Sequence, residues 1–194
     1  MTNNKGVSMA QDEMKIIKSC QAGNLDDFAL LYDAYIEKIY NFIYYKTHHR
    51  QTAEDLTGQT FMKALKNIGN FDTEKNYFNS WLYKIARNTV IDHYRTQKRP
   101  QNIDDAWDLA SPNNLEEDID TKNKLEEVKK YIENLKGDQR DILMLRLWQD
   151  LSYKEIAAIM DKSEAGCKMA FSRGINELRK QMPAYLFLFL LTNL

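Results

Sequence analysis

From Pro100 to Asn123 the chain reads PQNIDDAWDLASPNNLEEDIDTKN, a stretch that holds two of the three prolines and sustains no helical period. Charged, proline-punctuated and without an apolar face, it has the composition of a linker rather than of a packed element. It divides the 194 residues into two pieces, each of which must build its own small core. Turn-formers are few: the whole chain has seven glycines and three prolines against long runs of Lys, Glu, Leu, Ile and Ala. That balance predicts an all-α protein of two small helical domains, an N-terminal bundle over 11–99 and a C-terminal domain over 124–182. A flexible acidic linker at 100–123 joins them, and an apolar tail follows at 183–194.

A formal net charge of −1 conceals a strong asymmetry. Residues 77–100 carry five basic groups and one acidic, residues 128–194 carry eleven and eight, and residues 101–127 carry two and nine. Two basic segments are masked by an acidic one between them, which restores a nucleic-acid partner that the overall balance argues against. Cys20 and Cys167 form neither a CxxC nor a Cys/His ligand spacing, so no disulfide framework, metal site or cofactor is expected and a reducing, cytoplasmic setting fits. The N-terminus, MTNNKGVSMAQDEMK, lacks the apolar core of a signal peptide. No apolar run approaches the roughly 20 residues that span a bilayer.

Apolar residues recurring at three and four positions predict helices over about 11–20, 25–47 and 52–67. Phe28, Leu31, Tyr35, Ile39 and Phe42 carry the second; Ala53, Leu56, Thr60, Ala64 and Leu65 carry the third. The loop GNFDTEKNYFN then leads into SWLYKIARNTVIDHYR, Ser80 to Arg95. On a helical wheel Lys84, Arg87, Asn88, Ile91 and Arg95 share one sector, while Leu82, Ile85, Ala86, Thr89, Val90 and His93 share the opposite one. Trp81 flanks the basic stripe, and Lys98 and Arg99 extend its charge. Arg and Lys can neutralise phosphates, Asn can read base edges, and an exposed aromatic can stack on an unpaired base. The set suits partly melted nucleic acid. It is equally the solvated face of any amphipathic helix, and this helix alone does not decide between the two.

Beyond the linker, LEEVKKYIENL and GDQRDILMLRLW read as two amphipathic helices. Ser152 with Glu155 then forms a capping-box pattern that starts a short helix, buried through Ile156, Ala157 and Met160. DKS turns the chain, and Ser163 caps a further helix whose inner side is Cys167, Phe171, Gly174 and Leu178. Two helices, one short, joined by a three-residue turn have the spacing of a helix-turn-helix. In that geometry Ala165, Lys168, Met169, Ser172, Arg173 and Asn176 face the major groove. Ordinary helical hairpins share the spacing.

In their order and spacing, AEDLTGQTFMKAL, SWLYKIARNTVIDHYR, the acidic linker and LSYKEIAAIMDKSEAGCKMAFSRGINELRK resemble the extracytoplasmic-function sigma factors of bacterial RNA polymerase, over about residues 14–181. The resemblance implies a promoter-specificity subunit that performs no chemistry itself. Its implied partners are core RNA polymerase and promoter DNA, with room for an anti-sigma factor and no small-molecule substrate. It places Asp55, Gln59 and Phe61 on the helix that docks on the polymerase clamp, although Gly58 and Gln59 stand where many relatives have Gln and Glu. The loop 70–79 resembles the segment that captures a flipped base of the minus-ten element. Asn79, Ser80, Trp81, Lys84, Arg87, Asn88 and Arg95 fall on its minus-ten-reading and melting helix, with Trp81 at the position of a melting tryptophan and Leu82 where housekeeping relatives have a second. The helix-turn-helix resembles the reader of the minus-thirty-five element. In the family the linker threads toward the RNA-exit path.

A free-standing helix-turn-helix regulator and a protein-interaction adaptor are the rival readings. No glycine-rich phosphate loop, nucleophile elbow or carboxylate pair argues for an enzyme, and the adjacent His48 and His49 read as exposed rather than ligating. The tail PAYLFLFLLTNL lies outside the resemblance. Packing on the C-terminal domain or a partner is its expected role, with a peripheral membrane contact as the weaker alternative.

Overall fold

The computed structural model describes residues 4–74, 77–96, 119–149 and 151–192. Among these no strand occurs, and the chain forms two compact units, Met1–Asp108 and Leu109–Leu194. Residues 97–118, which include Lys98, Arg99 and most of the predicted linker, lie outside the described residues.

The first unit contains α1 (Asn4–Gln21), α2 (Phe28–Thr47), α3 (Arg50–Asn67) and α4 (Phe78–Thr96), with short 3-10 turns at Leu25–Asp27 and Ile68–Asn70. Helices α2, α3 and α4 pack pairwise, and α1 lies against α2 and the second 3-10 turn. The histidine pair makes the corner between α2 and α3. His48 ends α2 in the left-handed region at φ 50°, its N–H donating to the Tyr44 carbonyl at 2.8 Å. His49 Nδ1 accepts from the Thr52 N–H at 3.2 Å and caps α3. Thr57 and Thr60, fully enclosed, donate their hydroxyls to the carbonyls of Ala53 and Leu56, both at 2.7 Å, so no polar group is stranded there. Leu82, Ala86, Thr89 and Val90 are buried, as the wheel of α4 predicts. Tyr83 joins them unpredicted, 1% exposed and edge-on to Phe42 at 5.3 Å.

The second unit contains α5 (Ile119–Glu133), α6 (Gly137–Leu147), α7 (Tyr153–Met160), α8 (Glu164–Gln181) and α9 (Ala184–Thr192). Helix α6 is its centre: Ile142, Leu143, Met144 and Leu145 are buried in succession. The predicted capping box closes on α7, with Ser152 Oγ accepting from Glu155 N–H at 3.3 Å and the Glu155 carboxylate accepting from Ser152 N–H at 2.7 Å. Asp161 turns the chain at φ 53°, and Ser163 Oγ caps α8 through Gly166 N–H at 3.1 Å. The inner side of α8 is as expected: Cys167, Gly174 and Leu178 are buried and Phe171 half-buried. Gly174 lies close against α6, for a Cβ placed there would stand 2.6 Å from Leu143 Cδ1.

Helix α1 starts at Asn4, earlier than the predicted start near residue 11, and α5 also starts early. Helix α5 begins at Ile119, inside the segment assigned to the linker; its apolar period starts only at Leu125, so a pattern-based boundary falls late. The tail packs on the C-terminal domain as expected, as a helix α9 that lies on α5 and α8 with Leu186 and Leu190 buried. Among the described residues no helix is long and apolar enough to cross a membrane.

Candidate nucleic-acid interface

Trp81 rests on an aromatic bed. Its ring lies 5.0 Å from Phe71 and 5.6 Å from Phe78, which are themselves 5.8 Å apart and edge-on. Phe78 is backed in turn by Tyr35 at 5.5 Å. Phe71 and Phe78 are buried while Trp81 stays half-buried, so the indole is held from beneath and keeps an open edge. Neighbouring Lys84 and Arg87 are half-buried and Asn88, Ile91 and Arg95 exposed, which brings the predicted stripe together on one face. Arg95 pairs with Asp92 at 3.1 Å, a solvent-screened contact that a phosphate can displace. Arg87 Nε is buried with no hydrogen-bond partner among the described residues.

Asn79 and Ser80 occupy the start of this helix differently. Asn79 Oδ1 accepts from Ser80 N–H at 2.6 Å, and Ser80 itself is 5% exposed, so it shapes the helix entry and offers no side chain to a ligand. Two ties that the sequence pattern does not reveal brace α4: Lys63 Nζ donates to Thr89 Oγ1 at 3.0 Å, and Tyr94 Oη donates to the Lys46 carbonyl at 2.9 Å. Both span more than 25 residues, beyond the reach of local periodicity.

On α3, Asp55, Gly58, Gln59 and Met62 follow one another along an exposed strip. Phe61 does not belong to that strip. It is 3% exposed and packs edge-on against Phe28 at 6.5 Å and Tyr32 at 4.8 Å, so it anchors the helix from inside. Of the three residues the resemblance singles out on α3, only Asp55 and Gln59 face outward.

On α8 all six predicted residues, Ala165, Lys168, Met169, Ser172, Arg173 and Asn176, are exposed on the face opposite the buried one. Lys168 Nζ bridges Glu164 at 2.7 Å and lies 5.7 Å from the Tyr153 ring, which also carries the Arg146 guanidinium at 5.4 Å. Burial pushes the thiols of Cys20 and Cys167 upward, which disfavours the reactive thiolate in both.

Residues 31–100 match the family Sigma-70 region 2, and residues 125–178 match Sigma-70, region 4. The chain is 33% identical over 178 residues to the ECF RNA polymerase sigma factor BldN of Streptomyces coelicolor, covering 88% of this chain and 66% of that protein. It is 32% identical over 161 residues to RNA polymerase sigma factor YlaC of Bacillus subtilis, covering 81% and 92%. Against the ECF RNA polymerase sigma factor SigW of the same organism the identity is 31% over 180 residues, covering 87% and 95%. Among solved structures it resembles the sigma factor RpoE in complex with the anti-sigma factor NepR from Bartonella quintana, with TM-score 0.64, 25% identity, and 79% of this chain and 95% of that chain covered. The chain belongs to the extracytoplasmic-function sigma factors of RNA polymerase. Members are promoter-specificity subunits rather than enzymes, and their regions 2 and 4 bind core polymerase and the minus-ten and minus-thirty-five promoter elements.

Proposed function

We propose that the three exposed faces divide the work of initiation among themselves. Asp55 and Gln59 on α3 dock the first unit on core polymerase, with Phe61 fixing their helix from within. Lys84, Arg87, Asn88 and Arg95 on α4 engage the minus-ten element, and Trp81 takes the place of a base pair at the opening edge. Asn79 and Ser80 set the helix entry that places it. Helix α8 enters the major groove of the minus-thirty-five element through Ala165, Lys168, Met169, Ser172, Arg173 and Asn176. The observation that carries this reading is the half-buried tryptophan on its aromatic bed, directly beside a basic stripe. A purely solvated helix face has no need of a braced indole. The site of action is the cytoplasm, and an anti-sigma factor competes for the same faces; the similar RpoE, solved in complex with the anti-sigma factor NepR, supports that partner class.

Transcription in vitro with purified core polymerase tests the assignment. Trp81→Ala is expected to impair initiation from a duplex promoter far more than from the same promoter mismatched across the minus-ten element. Equal loss on both templates refutes a melting role.

A further inference from the structure

Helix α1 precedes the matched region, which begins at residue 31, yet two of its side chains hydrogen-bond to groups that carry or back the rings beneath Trp81. Gln21, its last residue, donates from Nε2 to the carbonyl of Ile68 at 3.1 Å and to that of Phe71 at 2.7 Å. These bonds hold the 3-10 turn that delivers the Phe71 ring to the indole. Eight residues earlier, the Glu13 carboxylate accepts the hydroxyl hydrogen of Tyr35, whose ring backs Phe78, the second ring of the bed. One helix therefore fixes both rings under Trp81, each through a hydrogen bond to the element that carries or backs it.

We infer that α1 is a positioning element for promoter opening, in which Gln21 and Glu13 set the height and tilt of Trp81 by anchoring Phe71 and, through Tyr35, Phe78. The inference rests on the melting role proposed for Trp81. The physical ground is that an indole which must insert at an opening base pair acts only when pre-aligned, since a floppy ring spends the gain of stacking on its own ordering. Gln21 suits the task because one amide nitrogen carries two hydrogens and can satisfy both carbonyls at once. A carboxylate of the same shape carries none and would repel them.

The decisive variants are Gln21→Glu, which keeps the shape and removes the donor, and Tyr35→Phe, which keeps the ring and removes only the hydroxyl. Each is assembled as the full chain with core polymerase, beside Trp81→Ala. Open-complex formation on a duplex promoter is expected to slow about tenfold for Gln21→Glu, against less than about twofold on the pre-melted template, with affinity for core unchanged. Tyr35→Phe is expected to act in the same direction, and covers the case in which Gln21→Glu disturbs the fold. In a Trp107→Phe, Trp148→Phe background the remaining Trp81 emission should shift to the red and quench more readily with acrylamide when Gln21 is replaced. Equal loss on both templates, or loss that follows core affinity, reduces α1 to a structural helix and overturns the inference. So does an unaltered duplex rate in both variants. If Trp81→Ala itself fails to separate the two templates, the melting role falls and this inference with it; if it separates them and the α1 variants do not, only the role of α1 falls.

Discussion

Gly174 faces Leu143 of α6 so closely that a Cβ has no room, and Gly174→Ala probes how tightly α8 is seated. The added methyl would lie 2.6 Å from Leu143 Cδ1, 3.5 Å from Leu143 Cγ and 3.7 Å from Gln139 Cβ. Leu143 is 0% exposed and cannot swing into solvent, so either its rotamer or the helix spacing must change. Overpacking of that kind costs about 1–3 kcal/mol. Alanine in a helix interior returns about 1 kcal/mol relative to glycine, leaving a net loss of about 0–2 kcal/mol. A loss of about 1 kcal/mol lowers the melting point of a unit this size by about 4–8 °C. Hydrogen exchange in the full chain, followed in peptides of α6 and α8, isolates this unit from the other, which intrinsic fluorescence would not, since Trp81, Trp107 and Trp148 all emit. Leu143→Ala opens the space, so the double variant should cost less than the sum of the two by about 0.5–3 kcal/mol. A Gly174→Ala chain as stable as the parent, with additive energies in the double variant, would refute the steric argument that α8 needs glycine where it meets Leu143.

Gly58→Ala should do the opposite, because a Cβ there meets nothing within 4 Å in the exposed middle of α3; a gain of about 1 kcal/mol in urea unfolding of the first unit is expected, and a loss would mean the helix needs glycine for its backbone. Leu186→Ala, at 0% exposure, should destabilise the second unit by about 2–5 kcal/mol, whereas Leu188→Ala, at 60%, should stay within about 0.5 kcal/mol. Equal effects in thermal melts would remove α9 from that unit's core. Burial pushes the Tyr83 hydroxyl well above the usual tyrosine range. Below about pH 10 folded and unfolded chains both hold that proton; above it only the unfolded chain releases it, so stability should fall by about 1.4 kcal/mol per pH unit. Urea midpoints measured from pH 9 to 11 should show that fall flattened in Tyr83→Phe, and an unchanged slope would contradict it.

Most helices, and the caps of α7 and α8, are legible in the sequence alone, because they depend on residues three and four apart. Ser152 with Glu155, Ser163 with Gly166, and the Cys167, Gly174, Leu178 side of α8 are such local features. The exposed face of α8 follows by elimination. The basic stripe of α4 is equally visible there, but its meaning is not, since a stripe of charge is common to bound and solvated helices.

Tertiary structure decides what local spacing leaves open. Phe61 has the chemistry of a docking residue and becomes a core residue only because Phe28 and Tyr32 meet it from another helix. Tyr83 sinks into the bundle beneath Phe42, a place the wheel of α4 does not assign to it. The run AYLFLFLLT is apolar on every side and thus without a period, so only contact with α5 and α8 selects Leu186 and Leu190 as its inner face. Trp81 is conspicuous in the sequence, yet the bed beneath it comes from Phe71 and Phe78, and the side chain that fixes Phe71 lies 50 residues away on α1. A helical period encodes which side of a helix turns inward; the partner it meets there is chosen by the whole chain's packing, and a braced tryptophan is a property of that packing.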